Sequence, residues 1–193
     1  MELYRNLIDM NYQFPHTIEN CIGEKIIFQR IEQTPEGDMI IGESFCQPGS
    51  GPIMHTHFKQ DEGMTVLSGI MGYQVLGQEP AFIYPGESMV FKRGVPHRFW
   101  AEGKETLHCR GWLAPVNTIV FYLTSIYSAQ NKSGTGKPEM FDAAYLLTRY
   151  ASEYDMVEMP RFVKKVIMPA TYRIGMLLGK YKHFKNAPEP VRD

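Results

Sequence analysis

Three cysteines, Cys21, Cys46 and Cys109, are all that 193 residues contain, and no two form a C-x-x-C pair. An odd, unpatterned set argues against a disulfide-stapled secreted scaffold and predicts thiols in a reducing compartment. Long apolar runs are also lacking. No stretch offers the ~18 consecutive apolar residues of a spanning helix, and Met1–Asp9 lacks the apolar core of a secretion signal. A cytoplasmic location is expected. Charge of one sign is missing as well, since the formal net charge is −1. With no helix-turn-helix pattern and no basic surface interleaved with aromatics, no nucleic-acid partner is expected.

The near-zero charge hides a division along the chain. Residues 1–160 carry twelve Lys/Arg against nineteen Asp/Glu, whereas 161–193 carry eight against two. An acidic body therefore bears a basic tail. An apolar fraction of 44% is ordinary for a globular chain, and the length suits one buried domain with an appendage.

From Glu24 the pattern becomes β. Asp38–Gln47 alternates, with Met39, Ile41, Glu43 and Phe45 on one side and Ile40, Gly42, Ser44 and Cys46 on the other. Short strands follow at 62–67, 72–76, 88–91, 97–101 and 105–113, separated by Gly or Pro, which predicts an antiparallel sandwich or barrel. After Pro115 the period becomes helical. Helices are expected over 117–130, with Asn117 as cap and a β-branched strand over 118–124 as the alternative, over 139–155, and over 160–178, the last kinked or split by Pro169. The organisation expected is an N-terminal arm (1–23), a β-barrel (24–114) and a C-terminal helical extension (115–193) packed on the barrel or on a partner.

Residues 49–69 carry the chemistry. His55 and His57, two apart, share one face of a strand. Glu62 follows where the chain can enter the next strand. His97 lies in a second Gly/Pro-punctuated segment, 86–97. If the segments pair, three imidazoles and one carboxylate converge as a set suited to iron, manganese, nickel, copper or zinc.

These residues resemble the cupin family. Its first motif is a glycine, five residues, His-x-His, three or four residues, a glutamate, six residues and a glycine. Gly49, His55, His57, Glu62 and Gly69 fit throughout. In the second motif Gly86, Gly94 and His97 fit, while Lys92 replaces the usual proline and Ala101 the usual asparagine. Neither departure removes a ligand. The resemblance covers about 24–114 and implies a mainly β fold, the double-stranded β-helix or jelly roll, here with added C-terminal helices. It also implies a divalent metal on His55, His57, Glu62 and His97, and pairing of barrels into a homodimer.

Candidates for the substrate pocket are Tyr73 and, if the face of strand 105–113 that holds them turns inward, His108 and Arg110. Phe91, Phe99 and Trp100 are expected in the core, and Gln60 and Asp61 in a loop beside the ligands. The expected function is a small-molecule metalloenzyme of dioxygenase or isomerase type. The alternative is a non-catalytic binding or sensing module, attached to an anionic membrane surface through the basic segment 160–193. A packed helix with a solvated basic face is preferred to that attachment.

Overall fold

Strand alternation becomes two facing sheets in the computed structural model, which describes residues 12–35 and 37–192. The first eleven positions of the expected arm lie outside the described residues. The strands are β1 (His16–Glu19), β2 (Glu24–Thr34), β3 (Gly37–Cys46), β4 (His55–His57), β5 (Asp61–Ser68), β6 (Ile70–Val75), β7 (Ala81–Ile83), β8 (Ser88–Phe91), β9 (His97–Glu102), β10 (Leu107–Ala114) and β11 (Tyr154–Met156). One sheet runs β1-β2-β3-β10-β5-β8 and the other β11-β4-β9-β6-β7. All pairings given for these strands are antiparallel. The mainly β jelly roll with C-terminal helices is thus present. Residues 16–19, read from sequence as part of an arm, form a strand paired with β2.

The alternation in β3 selects its buried side. Cys46, Ser44, Gly42 and Ile40 stand opposite Leu107, Cys109, Gly111 and Leu113 of β10. Cys46, Leu107 and Cys109 join Val66, Met71, Phe91 and Phe99 in the barrel core. On the outer faces two tryptophans lie across glycines of neighbouring strands. A Cβ on Gly63 would meet the Trp112 ring at 2.2 Å, and one on Gly72 the Trp100 ring at 2.3 Å. Trp100 therefore covers the outside of the sheet, whereas Phe91 and Phe99 are in the core as expected.

Three helices follow: α1 (Ile119–Ser133), α2 (Met140–Arg149) and α3 (Met168–Leu177), the last entered through a π-helical turn at Val163–Ile167. Pro169 does not end the helical run, which passes from the π-helical turn into α3 across it. Asn117 precedes α1 with a positive φ of 45°, and Thr118 takes the cap position without a side-chain cap bond. Glu139 caps α2 by accepting from the N–H groups of Phe141 and Asp142. A second core forms where Val120, Tyr122 and Ile126 of α1 meet Phe28 and Ile40. No helix among the described residues is long and apolar enough to cross a membrane.

The helix expected over 139–155 ends at Arg149, and Tyr154–Met156 becomes a strand on β4. Tertiary contacts outweigh the helical period there. The Tyr154 ring stacks on Tyr122 at 4.1 Å, and its hydroxyl accepts from Gln60 Nε2 at 3.2 Å. Gln60, read from sequence as a loop residue, is fully buried. Next to it Glu153, also fully buried, accepts from Thr118 Oγ1 at 2.9 Å and from the backbone N–H of Val191 at 3.0 Å. This network joins the start of α1, the strand β11 and the chain end.

Burial raises the Glu153 carboxyl above its ordinary range, although bonds from Val191 and Thr118 oppose the shift. The native state then holds the proton longer than the unfolded chain does. Stability contributed here is present at low pH and falls as pH rises from about 4.5 through the raised value. Glu153→Gln removes that titration. The urea midpoint of E153Q relative to the unsubstituted protein should therefore improve steadily from pH 4 to pH 8; parallel profiles would contradict it.

Candidate metal centre and its cavity

The loop before β4 is tied to β9 by backbone bonds from Gly49 N–H to Ala101 O and from Ala101 N–H to Ser50 O, each 2.9 Å. Gly51 passes so close that a Cβ would lie 2.1 Å from Phe99 O. This apposition sets His55 directly opposite His97. On its other edge β4 is paired by β11, with Tyr154 opposite His57. Glu62 reaches the same point from β5 in the facing sheet. The centre therefore bridges the two sheets.

The four predicted ligands converge, one donor atom from each within 4.8 Å of the others. His55 Nε2 lies 3.1 Å from His57 Nε2, and Glu62 Oε2 lies 3.1 Å from His97 Nε2 and 3.3 Å from His57 Nε2. Separations of about 3 Å are those of neighbouring ligands bound at ~2.1 Å to one ion. The outer nitrogens support the same assignment. His55 Nδ1 is 2.7 Å from Ile53 O, and His97 Nδ1 is 2.8 Å from Val95 O. A proton donated to each carbonyl leaves the inner Nε2 with a lone pair. The lone pair of His97 then faces a carboxylate oxygen, an arrangement that a cation satisfies and a proton-free contact does not.

Ring packing holds these orientations. Phe91 stacks on His97 with centroids 4.1 Å apart, and Tyr154 meets His57 edge-on at 5.7 Å. Burial, followed by the neighbouring charges of His57 and His97, pushes His55 down to about 3. Burial opposes ionisation of Glu62, but the neighbouring His57 and His97 prevail and hold its carboxyl well below the usual range. A neutral imidazole and an ionised carboxylate are the forms that ligate metals.

His55, His57 and Glu62 open onto a cavity of about 780 Å³. Its wall is largely apolar. Phe28 and Ile40 come from the six-stranded sheet, and Leu123, Ile126 and Leu147 come from α1 and α2. The helical segment is thus part of the cavity wall.

The three pocket candidates do not line this cavity. Tyr73 points inward but packs 5.9 Å from Phe91 within the barrel core. Leu107 and Cys109 take the inner side of β10, each fully buried, so alternation turns His108 and Arg110 outward. His108 bonds Glu43 at 2.9 Å and stacks on Phe45 at 4.2 Å. Asp61, expected in a loop, begins β5 and binds the N–H of Arg93 at 2.8 Å. Sequence reasoning missed Glu24, Ser44 and Tyr122, all of which line the cavity. One signal was available: Glu24 shares the strand face of Ile26 and Phe28, where a carboxylate is out of place.

A family model described as the cupin domain matches residues 44–113. Among solved structures, a protein of Acidithiobacillus ferrooxidans provisionally named a sugar phosphate isomerase is 27% identical. The match covers 39% of this chain and 49% of that one, with a TM-score of 0.36. A Klebsiella pneumoniae protein with a double-stranded β-helix domain is 21% identical over 47% of this chain and 72% of its own (TM-score 0.40). KdgF from Halomonas sp. is 17% identical over 51% and 86% (TM-score 0.42). The chain spans about half the length of the first of these. No curated protein matches the sequence.

Titrating the chelated protein with Mn, Fe, Ni, Cu or Zn ions should load one ion per chain and raise its melting temperature. At a free-ion concentration 100 times Kd the stabilisation is ~2.7 kcal/mol. His97→Ala and Glu62→Ala should abolish both effects. Elemental analysis after gel filtration checks the stoichiometry, and equal loading of the variants would refute the assignment.

Proposed function

The chain belongs to the cupin superfamily through residues 44–113, and from that premise we propose that it is a metal-dependent enzyme acting on a small molecule, with oxygenase- or isomerase-type chemistry. The observation that carries this reading is a three-histidine, one-carboxylate cluster facing a cavity large enough for a small molecule. His55, His57, Glu62 and His97 would hold the ion. When bound, a divalent transition metal would supply Lewis acidity to an oxygen of the substrate and leave positions for exchangeable ligands.

The chain's own residues supply the rest. Carbonyls of Ile53 and Val95 fix the His55 and His97 rings, so the inner nitrogens need no reorganisation on ligand entry. The apolar walls keep bulk water from the site and strengthen electrostatic interactions inside it. In this reading the barrel unit is 24–114, and 115–193 closes the cavity. The protein works as a cytoplasmic homodimer. Phe162 and Leu177, 64% and 88% exposed, support the dimer as apolar surface that a second copy would cover. Free Cys21, Cys46 and Cys109 fit a reducing compartment.

Metal-loaded protein incubated with a bacterial metabolite extract, followed by mass spectrometry and oxygen consumption, tests the reading. Metabolites should be depleted by the unsubstituted protein. Glu62→Ala should slow that depletion by more than the ~10–100-fold typical of disturbing a ligand's support. Retention of a metabolite without conversion would replace the enzyme with the binding or sensing module, and unchanged turnover in the variant would overturn the metal-based reading.

A further inference from the structure

Apart from His57 Nδ1 of the histidine cluster, three buried polar atoms on the cavity wall have no hydrogen-bond partner among the described residues: Glu24 Oε1, Ser44 Oγ and the Tyr122 hydroxyl. Glu24 is only 5% exposed. In the β2–β3 ladder it stands opposite Cys46, and Ser44 stands opposite Ile26. The two polar side chains are therefore diagonal neighbours on one inner face.

The Glu24 carboxyl is held in a built setting. Its Oε2 accepts from Asn20 Nδ2 at 2.5 Å, and the same amide donates to Gln130 Oε1 at 2.9 Å. Asn20 Oδ1 in turn accepts from the Glu24 N–H at 3.0 Å. One oxygen is thus anchored, while the other is left without a partner. No basic side chain is paired with Glu24 among the described residues. Lys25, next in sequence, lies on the opposite side of the strand, over the Phe45 ring.

The ladder also defines the path between this acid and the metal centre. Glu62 belongs to the inward row of Leu113 and Ile40, and Ser44 to the row of Cys109 and Val66. A single inward row lies between them, made of Gly42, Gly111 and Met64. Two of its three members have no side chain, and both line the cavity. A Cβ on Gly111 would meet only Gly63 O, at 3.5 Å. The row is a floor over which an elongated ligand can lie.

Resting on the metal reading above, we propose that the cavity takes an elongated, mainly apolar molecule whose distal end is a protonated amine bound by Glu24 and Ser44, and whose other end reaches the metal centre. A buried acid without a counter-charge is costly, and an ammonium group both supplies the charge and donates to Glu24 Oε1 and Ser44 Oγ. Burial holds the Glu24 carboxyl above its usual range, against the Asn20 amide and the nearby Tyr127 hydroxyl; an ammonium partner restores the ionised form. Tyr127 lies near this acid, and burial, then Glu24, raise its hydroxyl.

The test is calorimetric titration of the full chain with octylamine, octanol and octanoate, with and without Zn ions. Octylamine should bind at least tenfold more tightly than either of the others. Glu24→Gln should remove that preference while metal stoichiometry stays unchanged, and Gly111→Val should weaken all three probes by filling the floor. Because E24Q acts at the distal end of the path and G111V midway along its floor, misfolding of one leaves the other informative, with metal loading as the check on folding. Equal affinity for the three probes, or an octylamine preference that survives E24Q, would overturn the proposal. Octylamine selectivity in a chain that loads no metal would sustain the Glu24 site and sink the metal reading.

Discussion

Three imidazole nitrogens and a carboxylate oxygen gathered within 4.8 Å form a contact that does not stabilise itself. Lone pairs face one another and each group loses water, so the surroundings must supply the energy that holds them together. Much of the barrel can be understood from this constraint. Carbonyls of Ile53 and Val95 orient two of the rings, Phe91 and Tyr154 confine the faces and edges, and the glycine-rich loop at 49–51 clamps β4 to β9. The two sheets approach at the point where Glu62 crosses to the histidines.

The C-terminal segment takes part in the same arrangement. β11 is the outer neighbour of β4, the strand that carries His55 and His57, and Tyr154 touches His57 directly. The Thr118–Glu153–Val191 bonds secure that strand from behind. α1 and α2 close the cavity with apolar side chains. A chain cut after the barrel strands would lose one edge partner of β4 and a wall of the cavity, which ties the helices to the site's chemistry and not only to stability.

Sequence patterns differed in how far they could be read. His-x-His on a strand is legible because side chains alternate with period two, and the spacing to Glu62 fits the approach to the next strand. Strand positions in the barrel were legible for the same reason. The inner side of β10 was not, because His108, Arg110 and Trp112 alternate as regularly as Leu107, Cys109 and Gly111. Alternation defines two faces without saying which is buried; contact with Val66 and Cys46 decides it. Tyr154–Met156 was misread because a three-residue strand has too little periodicity to compete with the helical pattern before it. Its identity comes from an edge of β4 that only the folded barrel creates.

Local spacing in the sequence alone determined the four residues of the candidate metal cluster, the two glycine-punctuated segments that carry them, and the change from β to helical periodicity near residue 115. Such features depend on side-chain period and turn chemistry, which neighbouring residues settle among themselves. Only the tertiary structure decided that Glu24, Ser44 and Tyr122 share a cavity with the histidine–glutamate cluster, that His108 and Arg110 point away from it, and that Gly42 and Gly111 lie between its two polar ends. Those relations join residues up to about a hundred positions apart through strand register and sheet packing, and register is set by which faces can be buried together.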